Sequence, residues 1–236
     1  MSTQISIPTQ PAPQPPTPNP TIALPLILLL TLLATTLLPR KSPTQPAIQW
    51  LSQGKDLERL KQYPQAIALY DQAITHHPND YRLWHERGLA LAKLQQFEAA
   101  LASYDRAHQL RPTQRDLSHE RGDTLLQLHR YSEAIESFNT YLNYDPHNTH
   151  ILADKGYALH QLHRHEEALQ TLTQALQTAR PADPSLPYAH YYQIETLRHL
   201  KQYQAALQST QTALKKYPSD RFQTQHDQLQ QLQKNA

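Results

Sequence analysis

The chain has no cysteine, four glycines, one methionine and two tryptophans in 236 residues. Each scarcity excludes something. Without cysteine there is no disulfide, no thiolate nucleophile, no Cys-based zinc site and no lipoprotein acylation site, while the redox compartment stays open. Four glycines, none in a GxGxxG or GxxxxGKS arrangement, leave no phosphate-cradling loop. Charge of one sign is also missing. Lys plus Arg number 22 against 20 Asp plus Glu, and Arg40 and Lys41 are the only charged side chains in the first 46 residues. The remainder is therefore formally neutral and has no cation surplus to release counterions, so nucleic acid is not an expected partner. With no glycine-flanked serine and only scattered carboxylates, an enzyme is not expected either.

Proline is plentiful but uneven, with eleven of nineteen in the first 46 residues. Residues 1–20 read as an extended or disordered tail, because PTQPAPQPPTPNP lacks backbone donors and core-forming side chains. Residues 21–39 come next as a candidate transmembrane helix, with eleven Leu or Ile between 22 and 38 and no charge until Arg40 and Lys41. An eighteen-residue helix at ~1.5 Å per residue spans about 27 Å, close to the ~30 Å hydrocarbon core. No Lys or Arg precedes the run, which argues for an uncleaved anchor over a secretory signal. Both basic residues lie on its carboxyl side, so the positive-inside bias predicts the amino terminus outside and the rest of the chain in the cytoplasm. Residues 40–46 form a short linker that keeps the remainder of the chain near the bilayer.

From residue 47 the chain repeats. Trp84, Gly88, Ala100, Tyr104, Ala107 and Pro112 recur 34 residues earlier as Trp50, Gly54, Ala66, Tyr70, Ala73 and Pro78. Shifted 34 residues forward, four of six match, with Ser118 and Tyr141 departing. The pattern resembles the tetratricopeptide repeat, a 34-residue helix-turn-helix unit. The resemblance implies an all-α, right-handed solenoid of five repeats, at 47–80, 81–114, 115–148, 149–182 and 187–220, with a capping helix over 221–236. Leu60, Leu94, Leu128 and Leu162 mark the ends of first helices, and Leu200 comes 38 residues after Leu162, so four residues are inserted, at RPADPSLP. The recurring glycine reads as a small residue that lets two helices approach. Tyr141 should make repeats three and four re-pack locally. In repeat five, Ile194 replaces glycine and Thr210 the aromatic, as suits a terminal unit. Phe222, Leu229 and Leu232 share one face of the cap.

The resemblance also implies a protein-protein interaction scaffold whose concave groove is lined by the first helices and holds an extended peptide or a helix. Carried over position by position, repeat one contributes Lys55 and Arg59, and repeat two Arg82, His85, Leu89 and Lys93. Repeat three contributes Asp116, His119 and Asp123, repeat four His150, Tyr157 and His160, and repeat five Tyr188, Tyr191, Glu195 and Arg198. The Lys and Asn set with which some co-chaperones clamp a carboxylate tail is absent, since Glu86, Asp116 and Glu120 stand there. A neutral or basic partner with aromatic or aliphatic anchors fits better. His85, His119, His150, His160 and His199 fall on groove positions and read as members of solvated faces. The trio His160, His163 and His165 lacks an i, i+4 carboxylate, so neither metal nor cofactor is expected. By fold-level analogy the chain is similar to membrane-anchored assembly factors for photosystems or pigment enzymes; a secreted or periplasmic binding module is the alternative.

Overall fold

The computed structural model describes residues 46–235. The proline-rich tail and the apolar run, with most of the linker, lie outside the described residues. Among the described residues no helix is long and apolar enough to cross a membrane.

Eleven α-helices and no strand occur among the described residues: α1 (Ala47–Arg59), α2 (Tyr63–His76), α3 (Tyr81–Lys93), α4 (Phe97–Leu110), α5 (Arg115–Gln127), α6 (Tyr131–Leu142), α7 (Thr149–Gln161), α8 (His165–Thr178), α9 (Leu186–His199), α10 (Tyr203–Lys216) and α11 (Asp220–Lys234). They pack as antiparallel pairs stacked in chain order, the all-α solenoid that the repeats imply. Of these, α1, α3, α5, α7 and α9 are the first helices and α2, α4, α6, α8 and α10 the second.

One device ends every first helix. The Gln62 amide donates to the Leu57 carbonyl at 2.8 Å and the Lys61 amide to the Glu58 carbonyl at 2.8 Å, with Lys61 at φ 58°. This is a Schellman turn, and it recurs with Gln95, His129, His163 and Lys201 in the left-handed position at φ 56–59°. Elsewhere polar side chains start helices: Asp80 accepts from the Arg82 amide at 3.1 Å and Asn148 from the Ile151 amide at 3.2 Å.

Within a pair, the glycine of the first helix makes room for a ring sixteen residues on. A Cβ at Gly88 would lie 2.5 Å from the Tyr104 ring, and Gly54, Gly122 and Gly156 face Tyr70, Phe138 and Leu172 in the same way. The small residue thus admits a side chain, and the helices approach over it. In the last pair both members change together. Ile194 and Thr210 are both fully buried, so bulk has moved from the second helix to the first and the interface stays filled. The exchange is a compensation, which explains those departures better than terminal position does.

Between pairs, Leu83, Leu117 and Ile151 are 0–1 % exposed, each contributing roughly 1.5–3 kcal/mol by burial. A polar clasp ties three helices at each of two junctions. Arg87 donates to Asp71 at 2.6 Å and to Ser103 at 2.7 Å, and Arg121 to Asp105 at 2.6 Å and to Ser137 at 2.5 Å. The re-packing expected at Tyr141 takes the form of a shortened helix: α6 has 12 residues where α2, α4, α8 and α10 have 14. The Tyr141 ring meets the edge of His119 at 5.9 Å. At the far end α11 buries Phe222 and Leu229 with Ile194 and Leu197. Leu232 does not join them and is 37 % exposed, because the covered core ends one turn before it.

Candidate partner-binding groove

Successive first helices touch one another more closely than successive second helices do, so the array bends with the first helices on its inner face. Along that face side chains meet from unit to unit. Lys55 reaches Glu86 at 2.6 Å, and His85 contacts Glu120. The His119 and His150 rings meet edge to face at 5.2 Å, Tyr157 meets Tyr192 at 4.7 Å, and the His160 ring nitrogen lies 2.9 Å from the Thr196 hydroxyl. The structure therefore brings Lys55, His85, His119, Asp123, His150, Tyr157, His160 and Tyr188 onto one face. Leu89 is half-buried in the packing around Tyr104.

Other residues expected in the groove lie elsewhere or are already engaged. Arg82 sits in the first turn of α3, where its guanidinium holds Asp80 at 2.9 and 2.6 Å beside a loop cavity with His77, Pro78 and Arg111. Its helix begins one residue earlier, so it points back to its own cap. Arg59 pairs with Asp56 at 2.5 Å, Asp116 lies near Arg115 at 3.5 Å, and Lys93 is exposed near the end of its helix. At the carboxyl end α11 covers the groove. The Arg221 guanidinium stacks 3.4 Å from the Tyr191 ring, and Gln225 donates to Glu195, which also holds Arg198 at 2.7 Å.

What stays open is a cleft of about 620 Å³ lined by Asp123, Leu126, His150, Asp154, Tyr157 and Tyr188, with Pro184 and Ser185 from the inserted loop. One wall is aromatic, formed by Tyr157 and Tyr188; behind them Tyr192 meets Tyr188 at 4.8 Å and Tyr131 meets Tyr157 at 6.0 Å. Burial pushes the Tyr157 and Tyr188 hydroxyls up, so both remain protonated donors. The other wall is charged. Burial, with Asp123 alongside and against the pull of His119, pushes Asp154 up to about 7. Asp123 raises His119, and burial lowers His150. Further along, burial with His165 and His199 holds His160 down at about 4. Burial also pulls His85 down, but Glu120 outweighs it and the net shift is upward.

Sequence reasoning missed Asp154, Tyr131, Tyr192 and Ser185. Counted from the start of each repeat, the carried-over groove positions include the second, fifth and ninth, whereas the sixth also faces inward and carries Glu86, Glu120, Asp154 and Tyr192. It also missed the residues able to hold a metal. One ligand atom each of His119, Asp123, His150 and Asp154 lies within 4.8 Å of the others. The i, i+4 His–Asp pairing sought around His160 occurs twice here, in His119/Asp123 and His150/Asp154. The His160, His163 and His165 rings do gather, joined by His199.

The family model for the tetratricopeptide repeat matches residues 51–115 and 119–187, more than half of the chain. No curated protein matches it in sequence. Among solved structures, MamA from Desulfovibrio magneticus RS-1 is similar at 18 % identity and TM-score 0.68, over 76 % of this chain and 99 % of its own. YrrB, described as a TPR protein with an unusual peptide-binding site, is similar at 18 % identity and TM-score 0.68, over 75 % of this chain and 89 % of its own. A MamA structure from AMB-1 is 20 % identical with TM-score 0.63, over 74 % of this chain and 94 % of its own.

Proposed function

The chain belongs to the tetratricopeptide repeat family, and from that premise we propose that it is a non-enzymatic scaffold that holds a segment of a partner protein against the first helices. The observation that carries this reading is the open cleft between the first helices of repeats three to five, where Tyr157 and Tyr188 offer half-buried rings backed by Tyr192. Half-buried aromatics with fixed hydroxyl donors are what an apolar anchor of an incoming peptide needs: area to cover and a few polar contacts to orient it. The peptide-binding site recorded for the similarly folded YrrB supports the same use of the fold.

The scaffold works beside a membrane. Residues 21–39 anchor it as a single span, the amino-terminal tail lies outside, and the repeats stand on the cytoplasmic face. The supports are the uncharged leucine-rich run and the Arg40 and Lys41 that close it.

Affinity purification from detergent-solubilised membranes, followed by mass spectrometry, tests the groove. Truncation of an anchoring aromatic costs about 2 kcal/mol, roughly thirtyfold in affinity. Partners held by the native chain should be lost from a Tyr157→Ala, Tyr188→Ala variant and kept by Arg82→Ala, whose side chain faces a loop. If the tyrosine variant retains every partner, binding belongs to another surface.

A further inference from the structure

Equivalent positions along the inner face carry a contrast that the peptide reading does not use. At the first junction the ninth residue of one unit and the sixth of the next are Lys55 and Glu86, a cation and an anion 2.6 Å apart. At the third junction the same two positions are Asp123 and Asp154. The ammonium has become a second carboxylate, and nothing at these positions replaces its charge. Asp154 is only 8 % exposed. A buried carboxylate beside another carboxylate is unfavourable unless one of them holds a proton or a cation joins them, and a cation with its own ligands there would take the proton's place.

Two imidazoles complete the set. His119 lies one turn before Asp123 on α5, and His150 one turn before Asp154 on α7, so each helix presents a His–Asp pair on one face. We propose that His119, Asp123, His150 and Asp154 form a binding site for one divalent transition-metal ion, zinc fitting best. Two imidazole nitrogens and two carboxylate oxygens, without sulfur, are donors for zinc, cobalt or nickel; calcium and magnesium prefer oxygen alone.

The spacing agrees. Zinc bonds of ~2.0–2.1 Å at tetrahedral angles set ligand atoms ~3.3 Å apart. His119 Nε2 lies 3.1 Å from Asp123 Oδ2, and His150 Nε2 lies 3.4 Å from Asp154 Oδ2. Both pairs within a helix already have that edge length. One donor atom from each of the four residues falls within 4.8 Å of the other three, so no separation need close by more than ~1.5 Å. Rotation of the outer side chains suffices, since the Asp123 and His150 side chains are 42 % and 52 % exposed. They also leave the ion a path from the cleft. Behind the ligands, the Ser185 hydroxyl lies 3.4 Å from His150 Nδ1, placed to engage that nitrogen and turn Nε2 toward the ion. Ser185 is held in turn through its amide by Asp183 at 2.9 Å. A lysine or arginine from a partner would satisfy the carboxylates but leave both imidazoles without a role, so a metal accounts for more of the cluster. Bound there, the ion links the first helices of repeats three and four next to the tyrosine wall.

The test uses the full chain in detergent, stripped with a chelator. Zinc is titrated by calorimetry, and cobalt by its visible absorption, whose intensity reports four-coordination. One ion should bind per chain and raise the melting temperature. His119→Gln and Asp154→Asn should each weaken binding at least about tenfold, while a His165→Gln, His199→Gln variant binds as the native chain does. Asp123→Asn separates binding from folding. It removes a like charge beside Asp154 while keeping an oxygen that can face His119, so without metal it should melt close to the native chain, yet lose the zinc-induced rise. Three results would overturn the site: zinc affinity unchanged in His119→Gln and Asp154→Asn, affinity lost with His165 and His199 instead, or no saturable zinc binding while a lysine-rich peptide binds and is lost on Asp123→Asn.

Discussion

Gly88 and Tyr104 show how little room a repeat leaves. The ring occupies the space that a methyl group at Gly88 would need, and a tyrosine held by buried neighbours cannot turn aside. Alanine there gains ~1 kcal/mol of helix propensity but forces overpacking that costs about 1–3 kcal/mol. Gly88→Ala should therefore lower stability, by up to about 2 kcal/mol in denaturant melts. At Gly156 the facing residue is Leu172, an aliphatic side chain with a torsion that a planar ring lacks, so Gly156→Ala should cost less than Gly88→Ala. Equal costs would mean that the ring is not what the glycine serves. The glycine series was legible in the sequence because its period is fixed. Its partner was not, because a contact sixteen residues away requires knowing how the two helices face. The same blindness hid the compensation between Ile194 and Thr210, which look like two separate faults until both are seen buried at the glycine and ring positions of one pair.

At the scale of the element, five turns place Lys, Gln or His where a left-handed backbone costs an L-residue about 1 kcal/mol and glycine nothing. Gln95 is exposed, so Gln95→Gly alters little besides that strain, and it should raise the stability of the array by about 0.5–1 kcal/mol in the same melts. No change, or a loss, would mean that the entropy glycine adds to the unfolded chain cancels the relief. Helices and turns were readable from hydrophobic period and from the leucine before each turn. The inner face was readable only in part. His119, Asp123, His150, Tyr157 and Tyr188 came from carrying positions over, but the sixth position was read only at Glu86 and Glu120, for the absent clamp, and not extended to Asp154 and Tyr192, although a helix stripe is wide enough to include neighbours of the positions that define it. Which end of the groove would be closed could not be read at all, since Arg221 over Tyr191 depends on how α11 lies.

Across the whole molecule, near-neutral charge hides opposing protonation effects. His160 is faced by His165 and His199, by Glu195 and Arg198 of α9, and by the Tyr192 ring. Burial and the two imidazoles hold it at about 4, below the ordinary 6.5, so between those values the unfolded chain binds a proton that the folded chain does not. Its effect is a loss of stability as pH falls from 6.5 toward 4. His85 and His119, held above their ordinary value, act in the opposite sense as pH falls. Thermal melting at about pH 7 and about pH 5 separates these contributions. The drop between the two should be smaller in His160→Gln than in the native chain, and an equal drop would place the acid sensitivity elsewhere.

The inserted loop has a consequence of its own. A perfectly periodic array cannot tell one repeat from the next, and a ligand seated on it could slide by a unit or bind at several equivalent addresses. The chain sets 38 residues between Leu162 and Leu200 where 34 separate Leu128 from Leu162, and this breaks the translational symmetry once. Pro184 and Ser185 then stand in the cleft wall at that break. For the segment proposed to bind there, that fault line in the lattice supplies a single registry.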